Sequence, residues 1–264
     1  MKFLKILVKK IFFFFGFILK KTHKNQQFPI TFDEIYKKIF SKNKKILIFD
    51  VGANKGQSIE RFRNIFPNCI VHAFEPIRVE FEFLKKKYEN DKNVYLNNFA
   101  IGSKNEEKIF FINKKSSVSS FHIVNKNSQW LKTTSQEYGV DPSSFLVKKE
   151  MVKIIKLDYY LYKKKISNVD ILKIDTQGFE EEVLIGAKKS FFKNIISVIE
   201  TEAIFDNVYE KKLNFFDLEK HLLPNNFRFV GIETCHNNLF EGTYFFADLI
   251  YINKKKINLK KYMK

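Results

Sequence analysis

The chain has few cysteines, and they are not arranged to hold a disulfide framework or a metal. Only Cys69 and Cys235 are present among 264 residues, with no Cys-x-x-Cys pair and no histidine at zinc-ligand spacing. The Gly-Lys-Ser/Thr phosphate loop and the Gly-x-Ser-x-Gly elbow of α/β-hydrolases are also missing. We therefore expect neither a disulfide-stapled domain nor a metal site, and the free thiols suit a reducing cytoplasm.

Long hydrophobic runs are absent too, although the N-terminal segment, residues 1–24, is basic and rich in phenylalanine. Its apolar run, Ile11–Leu19, is shorter than the ~20 residues that span a bilayer, and no Ala-x-Ala-like cleavage site follows. This pattern predicts either a helix in the membrane interface or a helix packed on the domain or on a partner subunit. We expect a cytoplasmic location, with peripheral contact at the inner membrane face through residues 1–21 under the first alternative.

Positive charge is abundant, with 47 Lys and Arg against 29 Asp and Glu and a formal net charge of +18. Such an excess is typical of proteins that bind nucleic acids. The lysines are spread along the whole chain, however, and no basic run is interleaved with aromatic residues as in single-strand binders. We predict a solvated lysine surface and no nucleic-acid partner, while attraction to anionic membranes or acidic glycans stays open.

Apolar runs of strand length alternate with segments of helical periodicity along most of the chain. This alternation predicts an α/β fold with a mostly parallel sheet that is covered on both faces and closed by an antiparallel hairpin over residues 227–252. We assign residues 25–264 to one domain. Within it, residues 114–149 lack periodicity and are rich in Ser, Thr and Asn, which predicts a loop that binds or caps the substrate.

The most informative stretch is the end of the first predicted strand, Ile46–Asp50, and the turn after it. The turn holds Gly52, Asn54 and Gly56 and leads into a predicted helix, a geometry that brings backbone N–H groups against a nucleotide-like ligand. Glu75 ends the next strand, at a distance suited to accept hydrogen bonds from ribose hydroxyls. Together these features indicate a cofactor that contains adenosine.

Acidic residues also end two later strands. Asp175 follows the strand over residues 169–174, and Glu200 and Glu202 end the strand after it. These carboxylates could orient a substrate, accept a proton, raise one another's pKa or hold a divalent cation, and the sequence does not separate these roles. His122, in the aperiodic stretch, is a further candidate base.

Several of these motifs, in their order along the chain, resemble the FkbM family of S-adenosylmethionine-dependent methyltransferases. The similarity extends over roughly residues 46–252. The matching motifs are Asp50-Val51-Gly52-Ala53-Asn54-Lys55-Gly56, Phe74-Glu75-Pro76, Ala100-Ile101-Gly102 and Leu172-Lys173-Ile174-Asp175-Thr176-Gln177-Gly178-Phe179-Glu180. The resemblance implies a class I methyltransferase fold, a Rossmann-like three-layer sandwich around a mostly parallel seven-stranded sheet with a reversed last strand.

The resemblance also implies an S-adenosylmethionine cofactor and roles for individual residues. Gly52, Asn54 and Gly56 would surround its amino-acid part, Glu75 would hold its ribose, and Asp175 would lie near the transferred methyl. The adenine would be flanked by Ala100 and Ile101. The remaining residues that we expect at the cofactor are Asp50, Ser58 and Pro76. The expected base is, in falling order, Asp175, Glu202 or His122.

The expected reaction is methylation of a hydroxyl group, of a sugar in a cell-surface glycan or of its precursor. Two alternatives remain at this point. One is an NAD-dependent sugar oxidoreductase or epimerase of similar topology, against which the glycine spacing argues. The other is a non-catalytic protein that keeps the fold to bind membranes or nucleic acid.

Overall fold

The structure is a computed structural model that describes residues 31–41, 44–211, 214–234 and 245–258. The predicted interfacial segment, residues 1–24, and Cys235 lie outside the described residues. The described strands are β1 (Leu47–Val51), β2 (Ile70–Phe74), β3 (Val94–Asn97), β4 (Ala100–Gly102), β5 (Glu106–Asn113), β6 (Leu146–Lys156), β7 (Val169–Ile174), β8 (Ile196–Ile204), β9 (Phe227–Thr234) and β10 (Phe246–Asn253). The described helices are α1 (Phe32–Ile39), α2 (Gln57–Ile65), α3 (Arg78–Lys87), α4 (Gln129–Tyr138), α5 (Leu157–Lys163), α6 (Glu180–Gly186), α7 (Lys188–Phe192) and α8 (Phe215–Leu222).

Seven strands form one sheet in the order β3-β2-β1-β7-β8-β10-β9. The pairs from β3 to β8 are parallel, whereas β10 runs antiparallel to both of its neighbours, β8 and β9. The chain thus inserts its last strand, reversed, between β8 and β9. This topology confirms the predicted seven-stranded sheet with its C-terminal antiparallel hairpin.

Helices cover both faces of the sheet and create a three-layer arrangement. On one face, Phe49 and Leu172 pack against apolar side chains of α5 to α8. On the other face, Ile48 and Ile171 pack against α1, α2 and α3. Because both faces are buried, β7 and β8 are buried along their whole length, as is typical of central parallel strands.

Residues 94–102 are divided between β3 and β4, which belong to different sheets. The chain leaves the main sheet after β3, and β4 pairs instead with β6 in a second sheet of order β4-β6-β5. The predicted aperiodic stretch, residues 114–149, contains the helix α4, whose N-cap is Ser128 and whose C-cap is Gly139 in the left-handed conformation. The sequence pattern did not predict this helix, because the stretch is polar and the helix buries only Trp130, Leu131 and two small polar residues.

The described residues from Phe32 onward belong to a single compact unit. No helix within the described ranges is long and apolar enough to cross a membrane. The ends of β1, β2 and β7 meet on the carboxyl side of the sheet, at the point where the strand order reverses. In open α/β sheets this is where ligands bind.

Candidate active site

A cavity of about 270 Å³ opens at the carboxyl ends of β1, β2 and β7. Eight of the predicted site residues line it: Gly52, Asn54, Ser58, Glu75, Pro76, Ala100, Ile101 and Asp175. The other four, Asp50, Gly56, Glu202 and His122, are not among its lining residues. The sequence therefore located the cavity, although not every predicted residue reaches its surface.

The turn after β1 adopts left-handed backbone at Gly52 (φ 90°), Asn54 (φ 44°) and Gly56 (φ 83°). A Cβ at Gly52 would lie 1.9 Å from the carbonyl oxygen of Asp175, so this glycine allows the ends of β1 and β7 to meet. A Cβ at Gly56 would lie 2.7 Å from the Tyr88 hydroxyl. Close packing of the protein itself thus accounts for both glycines, and Gly52 in addition exposes its backbone to the cavity.

Glu75 is buried at the end of β2 and is fixed by the backbone around it. Its carboxylate accepts hydrogen bonds from the N–H groups of Asn54 (2.8 Å) and Ile77 (2.7 Å). Burial raises the pKa of Glu75 to about 7, and the two N–H donors limit that rise. Each carboxylate oxygen keeps a second lone pair, which leaves Glu75 able to accept hydrogen bonds from a ligand in the cavity.

Asp50 lies one residue before the end of β1 and is fully buried. Neither of its carboxylate oxygens has a hydrogen-bond partner within the described residues. Burial raises the pKa of Asp50 to about 6, while the nearby Lys173 ammonium opposes the rise. We interpret Asp50 as a source of negative potential beneath the turn, since it does not line the cavity.

Asp175 follows β7 and exposes 37% of its side chain. Lys173 donates to its Oδ2 at 3.0 Å, and the amide of Gln177 donates to its Oδ1 at 2.9 Å. Burial alone would raise the pKa of Asp175, but the Lys173 ammonium and these two donors hold it below its ordinary value. Asp175 thus presents a carboxylate with a lowered pKa to the cavity.

Glu202, the second candidate base, lies on β8 and is buried. It accepts a hydrogen bond from the same Gln177 amide at 3.0 Å. Burial and the neighbouring carboxylates, first among them Asp175, raise the pKa of Glu202 well above its ordinary value. A raised pKa favours the protonated form of Glu202, which weighs against its role as a base.

His122, the third candidate, lies beside the cavity wall. Its ring centroid is 6.0 Å from that of Phe179, which lines the cavity. Burial, together with the charges of Lys211 and Lys108, lowers the pKa of His122 to about 4, so the ring is neutral at pH 7. Of the three candidates, Asp175 alone is among the residues that line the cavity.

The cavity is also lined by residues to which the sequence assigned no role. They come from the start of the 114–149 stretch, from β5 and from the chain after β7: Phe110, Ser116, Ser117, Ser119, Phe121, Gln177 and Phe179. Only Gln177 had a local signal, because it lies two residues beyond a strand-end carboxylate. The serines are brought to the site by a short 3-10 helix, Ser116–Val118, whose position the sequence pattern does not reveal.

The lining fits an S-adenosyl ligand chemically. Glu75 offers an acceptor for ribose hydroxyls, and Ala100 and Ile101 offer an apolar surface for a purine. Carboxylates are concentrated around the cavity in a protein of net charge +18, and Asp175 and Asp50 favour a cationic ligand such as a sulfonium. In the described parts of the chain, no group of three His, Cys, Asp or Glu side chains is arranged to hold a metal ion.

Comparison of the sequence with models of known protein families gives a match. The family model described as "Methyltransferase FkbM domain" matches residues 50–229, which include the β1 turn, Glu75 and Asp175. No curated protein sequence matches the chain.

Several solved structures are similar in fold at low sequence identity. Precorrin-6y C5,15-methyltransferase from Geobacter metallireducens GS-15 is 12% identical, with a TM-score of 0.39 over 88% of this chain and 93% of that one. Aeropyrum pernix fibrillarin with natively bound S-adenosyl-L-methionine is 9% identical, with a TM-score of 0.42 over 79% and 66%. TrmK of M. capricolum in complex with S-adenosyl-homocysteine is 10% identical, with a TM-score of 0.41 over 80% and 63%.

Proposed function

The chain belongs to the FkbM family of S-adenosylmethionine-dependent methyltransferases, and we propose that it methylates a hydroxyl group of a sugar. The acceptor would be a cell-surface glycan or its precursor. The enzyme class and the cofactor follow from the family, which favours the methyltransferase interpretation over the nicotinamide-dependent alternative. The acceptor and the residue roles below are our proposals.

The observation that carries this proposal is the mixture of hydroxyl and aromatic side chains in the cavity lining. Serine side chains at 116, 117 and 119 present hydroxyl groups, which both donate and accept hydrogen bonds. Apolar contacts come from the rings of Phe110, Phe121 and Phe179, whose flat surfaces suit the C–H face of a sugar ring. A site with hydroxyl partners and an aromatic wall is suited to a polyhydroxylated acceptor.

The chain's own residues then perform three tasks. Glu75 binds the ribose and so fixes the cofactor along the cavity. Asp175, held by Lys173 and Gln177, accepts the proton of the acceptor hydroxyl as that oxygen bonds to carbon. Bound cofactor supplies a methyl group on a sulfonium, which leaves as a neutral thioether. The apolar lining excludes water, which would otherwise compete with the acceptor.

The test is to incubate the enzyme with a cell-surface glycan extract and S-adenosylmethionine that carries a labelled methyl group. We expect label in a sugar, in a form that resists mild alkali, because methyl ethers resist it and methyl esters do not. Asp175→Asn is expected to lower the rate at least a hundredfold, a size typical of losing a general base. The matched control is Asp217→Asn, which removes a carboxylate in the first turn of α8, outside the cavity.

Label that appears instead in RNA, in protein or in an alkali-labile ester would contradict the proposal. Binding of the cofactor, measured by calorimetry, serves as a separate check. An enzyme that binds S-adenosylmethionine without labelling any sugar would keep its family assignment and lose the proposed acceptor.

A further inference from the structure

We propose that Gln177 is a positioning residue, whose side-chain amide bridges Asp175 and Glu202 and holds the Asp175 carboxylate ionised and in place at the cavity. This inference rests on the proposed function, because it concerns the group that we expect to accept the acceptor's proton. It is argued from the contacts of one amide group, and no residue role implied by the family resemblance includes Gln177.

One nitrogen serves both carboxyl groups. Nε2 of Gln177 lies 2.9 Å from Oδ1 of Asp175 and 3.0 Å from Oε2 of Glu202. A side-chain amide has two N–H donors, so the two contacts use its entire donor capacity. The carboxyl groups, which come from the ends of two adjacent strands, β7 and β8, are thus joined through a single side chain.

The orientation of this amide is fixed by its other contacts. The Tyr209 hydroxyl donates to Oε1 of Gln177 at 3.3 Å, and the Ser120 hydroxyl donates to the Gln177 carbonyl oxygen at 2.6 Å. A flipped amide would turn Oε1 toward the ionised Asp175 carboxylate, which offers no donor, and would turn its NH₂ group toward the Tyr209 hydroxyl. The backbone of Gln177 is left-handed (φ 56°), a conformation that non-glycine residues rarely adopt and that costs about 1 to 3 kcal/mol.

The two carboxyl groups lie in unequal surroundings. Asp175 has a second donor, the buried Lys173 ammonium, on its other oxygen at 3.0 Å. Glu202 faces several further acidic groups and, among the described residues, no ammonium at hydrogen-bond distance. The charged and titratable groups that act on this pair are Asp50, Lys173, Glu180, Tyr209 and Asp248.

Two adjacent carboxyl groups in a low-dielectric site do not both ionise readily, and the one with the better donors ionises first. The second donor on Asp175 therefore favours the ionised form of Asp175 and a proton on Glu202, which agrees with a lowered pKa for Asp175 and a raised one for Glu202. During transfer, a lone pair of the acceptor oxygen forms the bond to the methyl carbon, and the electron pair of the C–S bond goes to sulfur. The hydroxyl proton goes to Asp175, and Gln177 keeps that carboxylate in place.

The test needs no acceptor at its first stage. Carboxyl ¹³C NMR titrations of protein labelled at Asp and Glu give the titration midpoints of Asp175 and Glu202, which are assigned with Asp175→Asn and Glu202→Gln. Gln177→Ala and Gln177→Asn are expected to raise the Asp175 midpoint by about 1 to 2 pH units, the size of one lost charge-assisted hydrogen bond. Gln136→Glu, on the exposed surface of α4, is the control for an added charge and is expected to move neither midpoint.

The second stage measures methyl transfer to the glycan extract against pH. Gln177→Glu replaces two N–H donors by a third carboxyl group, which raises the pKa of Asp175, so the pH below which activity falls is expected to lie at least one unit higher than in the wild type. Glu202→Gln in that background removes the surplus carboxyl group and is expected to return the pH profile toward that of the wild type. A side chain with a merely structural role would not show this rescue.

Asp175 midpoints that coincide in wild type, Gln177→Ala and Gln177→Asn would overturn the proposal. So would a Gln177→Glu enzyme with the wild-type pH profile. Shifted midpoints without any labelled sugar would leave Gln177 as the positioning residue and refute the acceptor class alone, so the two failures are distinguishable.

Discussion

Relative to the wild type, the Glu75→Gln variant without ligand is expected to be more stable at alkaline pH than at acidic pH. The same substitution is expected to weaken cofactor binding. The reason lies in the burial of the carboxylate. Only 3% of Glu75 is exposed, and burial raises its pKa from 4.5 to about 7. Between pH 4.5 and about pH 7, Glu75 therefore carries a proton in the folded protein but has released it in the unfolded chain.

The sign follows from proton linkage. Because the folded state binds more protons, the free energy of unfolding falls as pH rises from about 4.5 through 7. For the one group, the loss between pH 5 and pH 8 amounts to about 2 to 3 kcal/mol. Glutamine does not titrate, so the stability difference between Glu75→Gln and wild type should shift by that amount in favour of the variant.

Binding of S-adenosylmethionine, by contrast, is expected to weaken in the Glu75→Gln variant. Glutamine keeps one acceptor oxygen but turns an NH₂ group toward the N–H of Asn54 or Ile77 and toward the ribose. Loss of charge-assisted hydrogen bonds of about 1.5 to 3 kcal/mol corresponds to roughly 10- to 150-fold weaker binding of S-adenosylmethionine. In the wild type, affinity should also weaken as pH falls below about 7, since the carboxyl group becomes protonated.

Urea denaturation at pH 5, 6, 7 and 8 gives the stability difference, and calorimetry gives the dissociation constant at the same pH values. Glu82→Gln, which removes an exposed carboxylate on α3, is the matched control. A stability difference that is constant with pH would refute the claim that burial perturbs Glu75. Unchanged cofactor affinity would refute its contact with the ribose.

Three further predictions concern Gly52 in the turn after β1, the ion pair of Arg61 with Glu200, and Ser117 in the cavity lining. Gly52→Ala should lower the free energy of unfolding in urea by about 3 kcal/mol, because it adds a Cβ at φ 90° against the Asp175 carbonyl; an unchanged stability would contradict the close approach. Arg61→Met leaves the buried Glu200 carboxylate without its bidentate partner and should destabilise by about 3 kcal/mol, part of which the added Glu200→Gln substitution recovers. Ser117→Tyr should abolish labelling of sugar while the dissociation constant for S-adenosylmethionine stays within twofold, and equal loss of both would place Ser117 at the cofactor instead.

The parts of the fold that sequence predicted correctly are those where local pattern and burial agree. β1, β2 and β7 are short apolar runs with polar residues at their carboxyl ends, and central parallel strands are buried on both faces. The strand-end position of Glu75 and Asp175 follows from this pattern. Because carboxyl ends of parallel strands meet at one edge, their convergence on one cavity was predictable as well.

Other features depend on contacts between distant segments, which no local pattern encodes. The departure of Ala100 from the main sheet is fixed by its pairing with Ile154 on β6. The bridge of Gln177 between two carboxyl groups requires β7 and β8 to be neighbours in a particular register. The serines of the 3-10 helix reach the cavity through the pairing of Phe111 with Ser120, which folds the polar stretch back onto β5.

The most direct test of the central claim is a crystal structure of the protein with S-adenosylhomocysteine. We predict the ligand in the cavity at the ends of β1, β2 and β7, with ribose hydroxyls within hydrogen-bond distance of Glu75 and the sulfur facing Asp175. A ligand bound elsewhere, or bound there with its ribose turned away from Glu75, would contradict the account.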